Sequence, residues 1–238
     1  MPDESRYEAV IFDLFGTLIT TVAPTRYQSM IRDVSGALGC DYDSFHDHWR
    51  ATVDLRESGQ MGNVQGILES MASHAGLLPP NRSVRDAAEK WVSYARNWLD
   101  PRPGAIETLA TIASKGIKVG LLSNCSDEVV QVWAETPFPW YFTDATFSCE
   151  VRVMKPDPEI YHGACRRLEV LPKNCLFVGD GGARELTGAL AVGMDALLIR
   201  VPGEEHTWFD QNYRLDALEW QGPVITSIAQ VLDVLAPT

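Results

Sequence analysis

The chain has 238 residues, 45% of them hydrophobic, which is enough for a real interior and long enough for a core domain plus an insert. Its formal net charge of −12 repels phosphate backbones, so nucleic acid is not an expected partner. Any small anionic substrate must then be drawn in by local positive groups. The five cysteines (Cys40, Cys125, Cys149, Cys165 and Cys175) are scattered without a C-x-x-C pair, a pattern that suits free thiols better than a disulfide framework or a zinc site. The segment from Met1 to Tyr7 lacks the apolar stretch of a signal peptide, and no apolar run approaches the ~20 residues of a membrane span. The expectation is a cytoplasmic protein, monomer or homodimer, with no membrane partner.

Ala9–Phe12 is a short apolar run closed by Asp13, and reads as a strand buried on both faces of a parallel sheet. From about Thr20 to Leu99 the pattern is helical throughout. Tyr27, Met30, Ile31, Val34 and Leu38 form one stripe, and Phe45, Trp49 and Val53 a second. Val64, Ile67, Leu68 and Met71 form a third. The fourth begins at a loose capping box, Ser83-x-x-Asp86, and runs through Ala87, Trp91, Tyr94 and Trp98. Pro101, Pro103 and Gly104 mark the return to the core. Strand-like runs follow at Val119–Leu122, Leu176–Val178, Ala196–Ile199 and Val224–Ile225. Helical patterns lie at Ala105–Ala113, Ile160–Leu168 and Leu186–Val192. The alternation predicts a doubly wound α/β core of residues 1–19 and 100–238, with a four-helix lid at 20–99.

In an open parallel sheet the functional crevice lies at the carboxyl ends of the strands. Asp13, in Phe12-Asp13-Leu14-Phe15-Gly16-Thr17-Leu18, stands at such an end. Ser123 after Val119–Leu122, Lys155 in Met154-Lys155-Pro156-Asp157, and Asp180 after Leu176–Gly179 are placed at others. A carboxylate is a weak nucleophile, so it must stay ionised and its target must be made electrophilic. Lys155 would supply positive charge for both purposes. Ser123 and Asn124, with backbone N–H groups near Leu14 and Phe15, are candidates to hold an oxyanion. Gly16 lets the chain turn tightly beside the nucleophile.

An Asp, a Ser, a Lys and an Asp in this order resemble the four motifs of the haloacid dehalogenase superfamily, and the resemblance covers nearly the whole chain, helical insert included. It implies a hydrolase with an α/β Rossmann-like core, in which Asp13 forms a covalent aspartyl intermediate. It also implies a Mg²⁺ site made by Asp13, Asp180 and the backbone carbonyl of Phe15, with Glu185 as a further ligand, direct or through water. Without a cation, Asp13 and Asp180 would repel, and one would tend to stay protonated.

The main departure is Phe15. Superfamily phosphatases generally carry a second Asp two residues after the nucleophile to protonate the leaving group, and Phe15 cannot do so. The 2-haloacid dehalogenases have an aromatic residue at this place and expel halide. Trp49-Arg50 also resembles the Trp-Arg pair whose arginine accepts the halide in that branch. Against this, those enzymes lack an acid at the position of Asp180 and work without metal. The expectation is a Mg²⁺-dependent hydrolase of a small phosphorylated metabolite. A 2-haloacid dehalogenase and a non-catalytic phosphate-binding protein stand as alternatives.

Overall fold

The computed structural model describes residues 6–204 and 215–236; the residues Met1–Ser5 of the N-terminal reading lie outside them. Strand β1 (Ala9–Phe12) is followed by five helices: α1 (Pro24–Leu38), α2 (Tyr42–Ala51), α3 (Val53–Glu57), α4 (Val64–His74) and α5 (Asn81–Trp98). The remainder alternates: α6 (Ala105–Ser114), β2 (Lys118–Ser123), α7 (Asp127–Trp133), β3 (Asp144–Phe147), α8 (Ser148–Val151), α9 (Pro158–Leu168), β4 (Cys175–Gly179), α10 (Glu185–Ala191), β5 (Asp195–Ile199), α11 (Leu215–Glu219), β6 (Val224–Ile225) and α12 (Val231–Val234). The six strands form one sheet, ordered β3-β2-β1-β4-β5-β6, with every neighbouring pair parallel.

Alternation along each central strand builds a core on both faces of this sheet. Val10 and Phe12 of β1, Leu176 and Val178 of β4, and Leu197 and Ile199 of β5 point to one side, where Leu109 and Ile112 of α6 and Val129 and Val132 of α7 cover them. Ala9 and Ile11, Cys175 and Phe177, and Ala196 and Leu198 point to the other, against α9 and α10. Gly120 of β2 is small for a reason of packing: a Cβ there would meet Leu168 Cδ1 of α9 at 2.7 Å. Helices α1 to α5 bury a separate cluster, with Met30, Ile31, Val34, Phe45, Trp49, Ile67, Leu68 and Trp91 at its centre.

Four details differ from the sequence reading. β3 is a strand that the apolar runs do not reveal, because Asp144-Ala-Thr-Phe147 is an edge strand with two half-buried residues. The insert has five helices, since Thr52 breaks the second stripe and Val53 opens the short α3. Helix α5 begins at Asn81 behind Pro80 with no side-chain cap, so Ser83 lies inside the first turn and Ser83-x-x-Asp86 is not a capping box. Lys155 is not at a strand end; it sits on the loop between α8 and α9, eight residues past the end of β3.

Candidate active site

The sheet brings Asp13, at the end of β1, next to Asp180, at the end of the adjacent β4. The chain passes through a tight turn after Asp13, where Gly16 has φ +76°. A Cβ at Gly16 would lie 2.3 Å from Asp180 Oδ2, so the turn after Asp13 and the Asp180 carboxylate are in direct contact. Asp180 is held in turn by the Gly182 N–H, which donates to its Oδ1 at 2.9 Å.

Lys155 is buried and is the hub of the polar network. Its Nζ donates to Asp13 Oδ1 and to Glu185 Oε2, both at 2.6 Å. Asn124 positions it from behind: Asn124 Oδ1 accepts from Lys155 N at 2.9 Å, and Asn124 Nδ2 donates to Lys155 O at 3.2 Å. Both ends of the Asn124 amide are thus engaged with the Lys155 backbone, a different arrangement from the expected oxyanion donor. Ser123, fully buried at the end of β2, has an Oγ with no hydrogen-bond partner. A buried hydroxyl left free costs stability unless something else engages it, which suits a substrate oxygen.

The remaining contacts fix the Asp13 carboxylate. Thr17 Oγ1 donates to Asp13 Oδ2 at 3.0 Å, and the Leu14 N–H, expected to face an oxyanion, also bonds to the Asp13 carboxylate. Burial pushes the Asp13 pKa up, Lys155 opposes this, and Asp180 adds to it; the net direction is up. Burial also dominates at Glu185, reinforced by Asp13, and raises its carboxyl well above the ordinary range. At Lys155 burial pulls the other way, but the two facing carboxylates outweigh it and hold the ammonium protonated.

Asp13, Asp180 and Glu185 each offer a carboxylate oxygen, and these oxygens all lie within 4.8 Å of one another. Three converging carboxylates offer hard oxygen donors, which are what Mg²⁺ takes. The donor set therefore fits the metal. Glu185 is held at both oxygens, since its Oε1 accepts from the Gly181 N–H at 2.9 Å. The Phe15 side chain is half-buried and packs against the main core.

Arg50 is exposed on α2 and makes no hydrogen bond or ion pair with the described residues, so the structure does not bring it together with this network. The buried arginine of the insert is Arg56. It stacks on the Trp49 ring at 3.9 Å and donates to Trp49 O and to Thr52 Oγ1. Sequence reasoning passed over Arg56, Thr17 and Arg102. Arg102 is buried, and its Nη2 donates to Gly16 O at 2.7 Å and to Ile19 O at 3.1 Å while pairing with Glu204. Its signal was an arginine between two prolines at the return from the insert, 102 residues into a chain whose first turn it supports.

Residues 7–193 match the model of the haloacid dehalogenase-like hydrolases. The chain belongs to that family. A glyceraldehyde 3-phosphate phosphatase of Methanopyrus kandleri is 33% identical over 199 residues, 81% of this chain and 84% of the relative. An (S)-2-haloacid dehalogenase of Burkholderia cepacia is 32% identical over 228 residues, 91% of this chain and 94% of the relative. The crystal structure of a HAD family enzyme from Bacteroides thetaiotaomicron, in complex with magnesium and inorganic phosphate, superposes with a TM-score of 0.64. It is 17% identical and covers 84% of this chain and 97% of that one, a likeness of fold. No helix of the described residues is long and apolar enough to cross a membrane.

Proposed function

We propose that this hydrolase removes phosphate from a small phosphorylated metabolite, with Asp13 as covalent nucleophile and Mg²⁺ as cofactor. The observation that carries the reading is the convergence of Asp13, Asp180 and Glu185, whose carboxylate oxygens lie within 4.8 Å of one another, two of them paired with Lys155. Bound Mg²⁺ would be held by these carboxylates and would polarise a phosphoryl oxygen. Asp13 attacks phosphorus from a position fixed by Lys155 and Thr17, while Lys155 neutralises charge on the transferring group. Ser123 Oγ, free and buried, donates to a phosphoryl oxygen. Asn124 keeps Lys155 in place. The 33%-identical glyceraldehyde 3-phosphate phosphatase of Methanopyrus kandleri supports the substrate class.

A second reading has its own support. Phe15 is apolar where a proton donor is expected, Arg56 is a buried cation in the insert, and a dehalogenase is 32% identical. A 2-haloacid dehalogenase would need neither proton donor nor metal, but it would have to tolerate Asp180 against Gly16. A panel of small phosphate esters, assayed for phosphate release with Mg²⁺ and after exhaustive chelation, tests the first reading. Phosphate release that disappears on chelation is expected. Release that survives chelation unchanged would remove the metal from the account, and no release from any ester would remove the phosphatase.

A further inference from the structure

Where the chain leaves the core for the insert and where it returns, the two passes run side by side. Ile19 bridges Phe15 on one side and Pro101 on the other, and the Arg102 N–H donates to Leu18 O at 2.9 Å. The Arg102 side chain turns inward from this crossing, with only 3% of it exposed. Its Nη2 donates to Gly16 O at 2.7 Å and to Ile19 O at 3.1 Å. Nη1 and Nη2 also reach Glu204 Oε1 and Oε2, at 3.2 and 3.1 Å. One guanidinium thus joins the turn after β1, the outgoing pass, the returning pass and the segment after β5.

The two carbonyls that Arg102 holds flank Thr17, and Thr17 Oγ1 donates to Asp13 Oδ2 at 3.0 Å. Inside the turn the N–H groups of Thr17, Leu18 and Ile19 converge on Leu14 O, at 3.3, 2.9 and 3.1 Å. Arg102 holds the same turn at Gly16 O, while Gly16 lies against the Asp180 carboxylate. Burying a guanidinium costs desolvation that an apolar side chain of similar volume would avoid. A charge kept here despite that cost points to a use for its fork of donors, and the fork meets the backbone on both sides of Thr17.

We propose that Arg102 is a positioning residue for the nucleophile: by holding Gly16 O and Ile19 O it fixes Thr17, and through Thr17 the orientation of the Asp13 carboxylate. Arg102 touches neither substrate nor the reacting atoms, and Glu204 supplies its counter-charge. Lys155 takes Asp13 Oδ1 and Thr17 takes Oδ2, so the carboxylate cannot rotate while Thr17 stays in place. A turn free to slide by an ångström would lose that alignment, which is worth ~10²-fold in rate.

Arg102→Met alone would leave Glu204 without its partner and put folding at risk, so two other variants carry the test. Arg102→Met combined with Glu204→Leu removes the guanidinium and its counter-charge together. Glu204→Gln removes the ion pair and keeps the bonds to Gly16 O and Ile19 O. Each is compared with the unmodified protein on 4-nitrophenyl phosphate with Mg²⁺. The double variant should lose ~10²-fold in kcat with KM changed a few-fold at most, and Glu204→Gln should keep kcat within a few-fold even if it melts lower. Arg102→Lys, a cation without the planar fork, should fall between them.

The effect on turnover rests on the phosphatase reading, whereas the effect on the turn does not. Amide exchange of the peptide over residues 14–19, read by mass spectrometry without substrate, should speed up ~10-fold or more in the double variant, while that of β4 stays the same. Unchanged kcat in the double variant, equal losses in both variants that track their melting temperatures, or unchanged exchange in this peptide would overturn the proposal. No phosphate release by the unmodified protein would overturn the phosphatase reading, and the exchange of residues 14–19 would then decide the role of Arg102 by itself.

Discussion

Gly16 and Asp180 are so close that the smallest side chain at position 16 would strike the carboxylate, with 2.3 Å from a Cβ to Asp180 Oδ2. The contact joins the turn after β1 to the end of β4, and so sets the distance between Asp13 and Asp180. Gly16 is needed twice, for this approach and for its φ of +76°.

Gly16→Ala should therefore injure the site more than the fold. The strained backbone costs ~1–3 kcal/mol, a loss the unfolding midpoint will show. Displacing Asp180 should lower activity by ~10²-fold and weaken Mg²⁺ binding, because misplacement by an ångström is enough for that. Titration of Mg²⁺ against the variant, followed by calorimetry, checks the second effect. Unchanged Mg²⁺ affinity would show that Asp180 is no ligand.

Lys155→Met should expose the repulsion between its two carboxylate partners. The substitution leaves Asp13 and Glu185 facing each other without their ammonium, and breaking a buried ion network in this way costs about 3–5 kcal/mol. Millimolar Mg²⁺ should return part of the lost stability to the variant in urea unfolding. A midpoint that Mg²⁺ does not move would count against a cation site at these carboxylates.

Glu57 of α3 and Glu128 of α7 give stability a pH dependence whose sign follows from their pKa values, which burial raises. Glu57 and Glu128 titrate near 7 in the folded protein and near 4.5 in the unfolded chain, so the folded protein binds more protons between those values. Their contribution is then fully present below the unfolded value and is lost as pH rises through about 7. Thermal melts of the unmodified protein and of Glu57→Gln, compared from pH 5 to 8 in ~1-unit steps, should diverge, with the variant falling less steeply. Parallel curves would mean that Glu57 is ionised throughout.

The α/β core was legible because buried parallel strands are short apolar runs, and Asp13, Ser123 and Asp180 follow such runs at once. Lys155 was recognised from its motif although its place in the fold is a loop, which no periodicity announces. Arg56, Glu57 and Glu128 carried no signal. Each is a charged residue in a helical segment, where a solvated face is the ordinary reading, and only the fold, with α3 docked on Ser148, buries Arg56 and half-buries Glu57 and Glu128. Arg102 was hidden for the same reason: its partners, Gly16, Ile19 and Glu204, are 83 to 102 residues away. Trp49-Arg50 shows the converse, for the dipeptide matched a pattern while the structure leaves Arg50 exposed and buries Arg56 against Trp49.

The central claim is that Asp13 takes phosphate from its substrate and becomes covalently modified. The direct measurement is a single-turnover reaction, quenched in acid, after which the peptide carrying Asp13 is weighed by mass spectrometry. The protein is offered a phosphate ester with Mg²⁺ in one tube and 2-chloropropionate with chelator in another. The account predicts a phosphoryl adduct on Asp13 in the first tube, absent in Asp13→Asn, and an unmodified peptide in the second. An ester of Asp13 with the propionate skeleton in the second tube, and no phosphoryl adduct in the first, would contradict it.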